Sequence, residues 1–229
     1  KMNEETIVLD CGCDSSDEVH KLGIHVGNVV TFDDDLMELN KKYLVGRALD
    51  NRIGGFMIAE VARRLSASKK KLPFGLYITN AVQEEIGLKG AEMIAENIKP
   101  DLAVITDVTH DTHSPHYNKI KEGDLKAGKG PVLTYAPAVH NNVLKNIIQV
   151  AEKNKIPFQR SASSRITGTD TDAFAYSGSG VPSALISLPL KYMHTTVERA
   201  HFKDIENIIK LFVAFISQLK EGHDYRYLK

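Results

Sequence analysis

Residues 44–85 read LVGRALDNRIGGFMIAEVARRLSASKKKLPFGLYITNAVQEE. Ile53, Met57, Val61 and Leu65 recur at helical spacing behind Asp50-Asn51, a good capping pair. This predicts a helix running to about Ser66, with Asp50 at its N-terminus. Pro73 and Gly75 then punctuate the chain ahead of Leu76–Val82, a β-branched and aromatic run that predicts a strand ending in Gln83-Glu84-Glu85.

Downstream the same alternation continues. Gly87–Asn97 reads as a short helix stopped by Pro100, and Leu102–Val108 as a buried strand whose one charge, Asp107, needs a reason. A helix is expected over about Ala138–Asn154, a loop over Ser161–Thr171 and a brief helix at Asp172–Tyr176. A strand at Ser183–Leu188 and a last helix from Asp204 to about Leu219, striped by Ile205, Ile208, Ile209, Phe212 and Phe215, complete the pattern. The fold class is α/β, a largely parallel or mixed sheet flanked by helices. Upstream, residues 1–44 differ in texture and read as a small β-rich piece, leaving 45–229 as the main domain.

A chain of 229 residues can bury a substantial core, and 42% hydrophobic with 25% charged residues is ordinary globular composition. The 29 basic residues are balanced by 29 acidic ones, so neither a nucleic-acid nor a membrane-surface partner is expected. No apolar run approaches the roughly 20 residues that cross a bilayer, and Lys1–Glu5 precedes no signal-peptide core. Cys11 and Cys13, one glycine apart, are poor disulfide geometry and read as reduced thiols, in keeping with the cytoplasm.

Asp50, Glu84, Glu85, Asp107 and His194 each end an expected strand or open the segment directly after one. In open α/β sheets the crevice beyond the carboxyl ends of the strands is where ligands bind, so these five can converge. Carboxylates with an imidazole suit a divalent cation, and carboxylates can bridge two cations roughly 3.5–4 Å apart. Each residue alone has a plainer reading: Glu84-Glu85 as solvated loop glutamates, Asp107 as a cap or turn residue, His194 as a loop histidine. Only the combination points to a site.

That combination is Ala48-Leu49-Asp50-Asn51-Arg52, Gln83-Glu84-Glu85-Ile86-Gly87 with Gly90-Ala91, Thr106-Asp107-Val108-Thr109, Gly168-Thr169-Asp170 and Tyr192-Met193-His194. Its order and spacing, over about Val8 to Leu219, resemble the tetrahedral (TET) aminopeptidases, the glutamyl and deblocking aminopeptidase family of metallopeptidases. The resemblance implies a zinc-peptidase-like catalytic domain over 45–229. It also implies that residues 1–44 are the C-terminal part of a β-rich dimerisation domain. It implies two divalent metal ions, zinc or cobalt, with Asp50 bridging both, Glu85 and His194 completing one site and Asp107 belonging to the other. Glu84 is then the general base that takes a proton from metal-activated water and delivers it to the leaving amine. Peptide substrates and a dimer-based homo-oligomer, a dodecamer in the family, are implied too.

The family carries a further histidine ligand in a His-x-Asp motif, and no such motif occurs in this sequence. The expectation is therefore a chain lacking the family's N-terminal part, whose second metal site is impaired. His110, His113 and His116 are expected on the surface or behind the ligands, with His110 the best supporting member. Lys191 replaces the usual arginine and leaves its contact open between substrate and main chain. Thr169 or Asp170 is placed to cap a short helix. Two competing functions remain at this stage: a two-metal amidohydrolase of acylated amino acids, and an inactive assembly or binding homologue.

Overall fold

The computed structural model describes residues 6–115, 117–225 and 227. It divides into two compact units, Lys1–Asp33 and Asp34–Lys229. Among the described residues of the first unit, the one regular helix or strand longer than a single turn is α1 (Ser16–Lys21). The hydroxyl of Ser15 caps it by accepting from the Glu18 N–H. Ile7, Val8 and Leu9 are exposed and form no strand, because an apolar run without a neighbouring strand has no ladder to join.

The second unit begins with β1 (Met37–Leu39) and β2 (Tyr43–Gly46), an antiparallel hairpin, and continues into α2 (Leu49–Ala67) and α3 (Lys89–Ile98). Next come β3 (Ala103–His110), α4 (Lys119–Glu122), β4 (Val132–Tyr135), α5 (Asn141–Lys153), β5 (Gln159–Ala162) and α6 (Asp170–Ala175). The last elements are β6 (Ser183–Lys191), β7 (Glu198–His201) and α7 (Phe202–Gln218). The hairpin pairs with β7 and belongs to the second unit.

The sheet is mixed and seven-stranded, ordered β1-β2-β7-β6-β4-β5, with β3 pairing β6. β6 is its axis. β3 runs parallel along one edge of it from Ala103↔Ser183 to His110↔Leu190. Its other edge is shared by β4 near Ile186–Ser187 and β7 at Leu190–Lys191, both antiparallel. A strand with neighbours on both edges and helices over it reads as continuous apolar sequence, and SALISLPL is buried throughout.

The main core packs α2, α5 and α7 against this sheet through Met57, Val61, Val143, Ile147, Ile208, Phe212 and Phe215. Each fully buried side chain of this kind contributes about 1.5–3 kcal/mol. A second, smaller core joins Ala91 and Ala95 of α3 to Ala103 and Phe174. Small residues there let α3 lie close to β3 and α6, the elements beside the site.

Two sequence expectations change. Leu76–Val82 joins no ladder among the described residues, and Leu76, Tyr77, Ile78 and Val82 are exposed. Its composition is that of a strand, but a strand exists only where a partner supplies hydrogen bonds. Asp107 stands inside β3, which runs on to His110, rather than at a strand's end.

Candidate metal centre

The site grows from the turn between β2 and α2. Asp50 has non-helical dihedrals, its peptide bond to Asn51 is cis, and the helix straightens only after Asn51. Asn51 does the capping expected of the pair. Its Oδ1 accepts the Gly54 N–H at 2.9 Å while its amide donates to the Thr106 carbonyl of β3 at 3.0 Å. The helix start is thereby tied to the strand that carries Asp107. Freed from capping, the Asp50 carboxylate turns to His194, whose Nε2 lies 3.1 Å from its Oδ2 and 3.5 Å from Glu85 Oε2.

Glu84 and Glu85 sit on a tight turn before α3. The N–H groups of Gly87 and Leu88 both donate to the Glu84 carbonyl, and the Gly90 N–H donates to the Val82 carbonyl. His194, in the turn between β6 and β7, holds a left-handed φ of 62°. Behind it is Glu198, 2% exposed, which accepts the Asp50 N–H at 3.0 Å on one carboxylate oxygen and the His194 N–H at 2.8 Å on the other.

Donor atoms of Asp50, Glu85 and His194 lie within 4.8 Å of one another. Two carboxylates and an imidazole at that spacing match the ligand mix of zinc and related divalent cations, and three protein ligands leave room for water or substrate. The residues therefore fit the expected ion. Asp107 and Glu84 stand outside this cluster but share its field. Burial raises Asp50 to about 6, helped by the charges of Glu85 and Glu198 and opposed by His194. Glu84 is pushed up to about 7 by burial and then by Glu85, Asp170 and Asp50. Asp107 reaches about 8, again through burial first, against the opposing hydrogen bond from the Val108 N–H. Crowded, half-dry carboxylates that resist ionisation are what a cation would relieve.

The neighbours of the site resolve several sequence questions. Lys191 Nζ donates to the His113 carbonyl at 2.9 Å, a main-chain contact. His110 Nδ1 pairs with the Tyr117 hydroxyl at 2.8 Å, and its pKa is lowered by burial and then by the charge of His194. His113 pairs with Asp124 and Lys119. His116 lies outside the described residues. Thr169, not Asp170, caps α6 by accepting the Thr171 N–H, and Asp172 accepts from Thr167 and Gly168. Asp170 keeps a buried Oδ1 with no hydrogen-bond partner among the described residues. Sequence reasoning missed Glu198. Its only local mark is a glutamate four residues after His194 in a short strand whose other residues give no reason for a buried charge.

Known proteins resemble this chain in sequence and in fold. A family model described as M42 glutamyl aminopeptidase matches residues 1–211. A lysyl aminopeptidase of Pyrococcus furiosus is 33% identical over 220 residues, 96% of this chain and 62% of the relative. An aminopeptidase structure from the archaeon Desulfurococcus kamchatkensis superposes with TM-score 0.85 at 33% identity, covering 92% of this chain and 59% of its own. A TET1 peptidase of Pyrococcus horikoshii, which can assemble into a tetrahedron or a large octahedral shell, gives TM-score 0.78 at 31% identity over 92% of this chain and 60% of its own. The chain thus spans about three fifths of the length of these relatives. With a match of that extent, the chain belongs to the M42 glutamyl aminopeptidase family.

Proposed function

We propose that this chain bears the reaction centre of a metal-dependent aminopeptidase that removes N-terminal residues from peptides. The observation that carries the reading is the convergence of Asp50, Glu85 and His194 from three distant segments onto one set of donor atoms. Those three would hold one divalent cation, zinc or cobalt, and Asp50 with Asp107 would belong to a second. When bound, such a cation acidifies a water and polarises the scissile carbonyl. Glu84 beside the cluster accepts the proton from water and passes it to the leaving amine. A carboxylate placed beside the cluster can act first as base and then as acid.

The second site has no His-x-Asp ligand within these 229 residues, so one tight metal per chain is expected. Elemental analysis after exchange into zinc or cobalt measures this directly, and two tight equivalents would refute the single-site expectation. No metal at all would sink the site and leave the inactive-homologue reading in front. On an aminoacyl anilide, Glu84→Gln should retain the metal yet lower kcat by about 10²–10⁴-fold. Undiminished turnover would move the base elsewhere. Aminoacyl amides with a free amine, compared with N-acylated ones, separate an aminopeptidase from an amidohydrolase of acylated amino acids.

We also infer self-association, on the assembling TET1 relative and on the exposed Val26, Val29, Val30 and Phe32 of the first unit, which we read as part of a dimerisation domain. Sedimentation velocity tests it, and a strictly monomeric chain at micromolar concentration would count against it. A cytoplasmic location fits the free thiols of Cys11 and Cys13.

A further inference from the structure

Glu198 is a buried carboxylate with two strong hydrogen bonds, and neither is to a side chain. Its acceptors are taken by the backbone N–H groups of Asp50 and His194, one 148 residues away and one four residues away. Burying an ionised carboxylate is costly unless donors replace the lost water, and here both donors belong to residues that reach the metal centre. We propose that Glu198 is the positioning residue of the centre, fixing the backbones of two ligands at once and so setting the spacing of their side chains before any cation arrives. The inference rests on the metal-centre reading above.

Three features favour this role over a merely structural one. First, the strand needs no help from the side chain: β7 is held by its own ladder to β2, with Glu198 opposite Gly46 and His201 opposite Tyr43. Second, both anchored residues lie where regular structure gives no support. His194 has a left-handed φ of 62°, a region that few non-glycine residues occupy, and Asp50 sits in the non-helical start of α2. Third, the two bonds use opposite oxygens of one planar group. The positions of the Asp50 and His194 main chains are therefore coupled, and neither can relax without the other.

The decisive comparison is between the parent chain, Glu198→Gln and Glu198→Ala, each stripped with chelator and titrated with Zn²⁺ alone by calorimetry. Gln keeps the volume and one acceptor but turns an N–H₂ toward the second donor, while Ala leaves both donors buried and unpaired. The expected loss of Zn²⁺ affinity in the folded Gln variant is about 10–100-fold, the usual effect of removing a group that orients a ligand, with Ala losing more. Amide NMR of the metal-free proteins gives a second reading that needs no metal. In the parent, the Asp50 and His194 amides should resist hydrogen exchange although they lie outside any ladder, and in Glu198→Gln at least one should lose that protection. If both amides exchange in the parent like exposed neighbours, the proposal is overturned without any variant having to fold. A parent that binds Zn²⁺ alongside a folded Gln variant that binds it equally well overturns the Glu198 assignment and leaves the metal centre standing. A parent that binds no Zn²⁺ overturns the metal centre and this role together.

Discussion

Asp50, Glu84 and Asp107 share one physical predicament: each is partly or largely withdrawn from water among other carboxylates. Their folded-state pKa values, about 6, 7 and 8, lie above the ordinary carboxylate values near 4 that they would have unfolded. The folded chain then binds more protons than the unfolded one, so without metal its stability must fall as pH rises through these values. The histidines lowered by burial, His110, His140 and His201, pull in the opposite direction, but only below about pH 6.5 where the unfolded imidazole titrates. Between pH 7 and 8.5 Asp50 is already largely ionised, and Glu84 and Asp107 carry the dependence. A thermal melt of the chelator-treated chain should lose midpoint temperature across that window, about 2–4 °C for each kcal/mol of stability lost. Saturating Zn²⁺ should flatten the loss. A metal-free midpoint that holds steady or rises from pH 7 to 8.5 would show that Glu84 and Asp107 ionise freely.

At the scale of elements, the site depends on how closely α3 approaches the turn bearing Glu84 and Glu85. Gly90 makes that approach possible: a Cβ there would fall against the backbone O and N of Val82 at well under van der Waals contact. Backbone cannot rotate aside as the tip of a side chain can, so Gly90→Ala must shift Val82 and with it the turn that bears the glutamates. The expected result is a loss of about 1–3 kcal/mol in urea unfolding together with weaker Zn²⁺ binding. A destabilised variant with parental affinity would uncouple the helix from the site. The same segment shows why strand propensity is conditional. Leu76–Val82 is as β-rich in composition as β6, yet it carries no ladder and leaves four large apolar side chains exposed.

Across the second unit, the long connection from β3 to β4 is pinned from beneath by two buried carboxylates. Asp204, wholly buried at the start of α7, accepts the N–H groups of Gly128 and Gly130. Asp111, 2% exposed, accepts those of His113 and Ala127. The connection leaves β3 at His110, three residues beyond Asp107, so the anchors hold the segment that follows the strand bearing Asp107. Asp204→Ala should cost about 1–3 kcal/mol for each amide left unpaired, read as a lowered denaturant midpoint. Because no ligand is moved, Zn²⁺ affinity of the folded variant should change little. A large change in affinity would extend the influence of Asp204 to the metal centre itself.

Local periodicity was enough to locate α2, α5 and α7, the buried runs of β3 and β6, and the turns between them, since the spacing of apolar residues directly encodes which face is buried. The motifs around Asp50, Glu85 and His194 were also legible, because a polar residue at the edge of an apolar run stands out against its neighbours. Other features depended on which segments become neighbours. The Asn51 amide is tied to the Thr106 carbonyl of β3, and Leu76–Val82 stays without a ladder. Glu198 is the clearest case: it is one glutamate in a short strand until the pairing of β7 with β2 carries it under the start of α2. The identity of each side chain and its local period are written along the chain. Whether a carboxylate ends as cap, ligand, base or clamp is decided by the groups that tertiary packing sets within hydrogen-bonding distance of it.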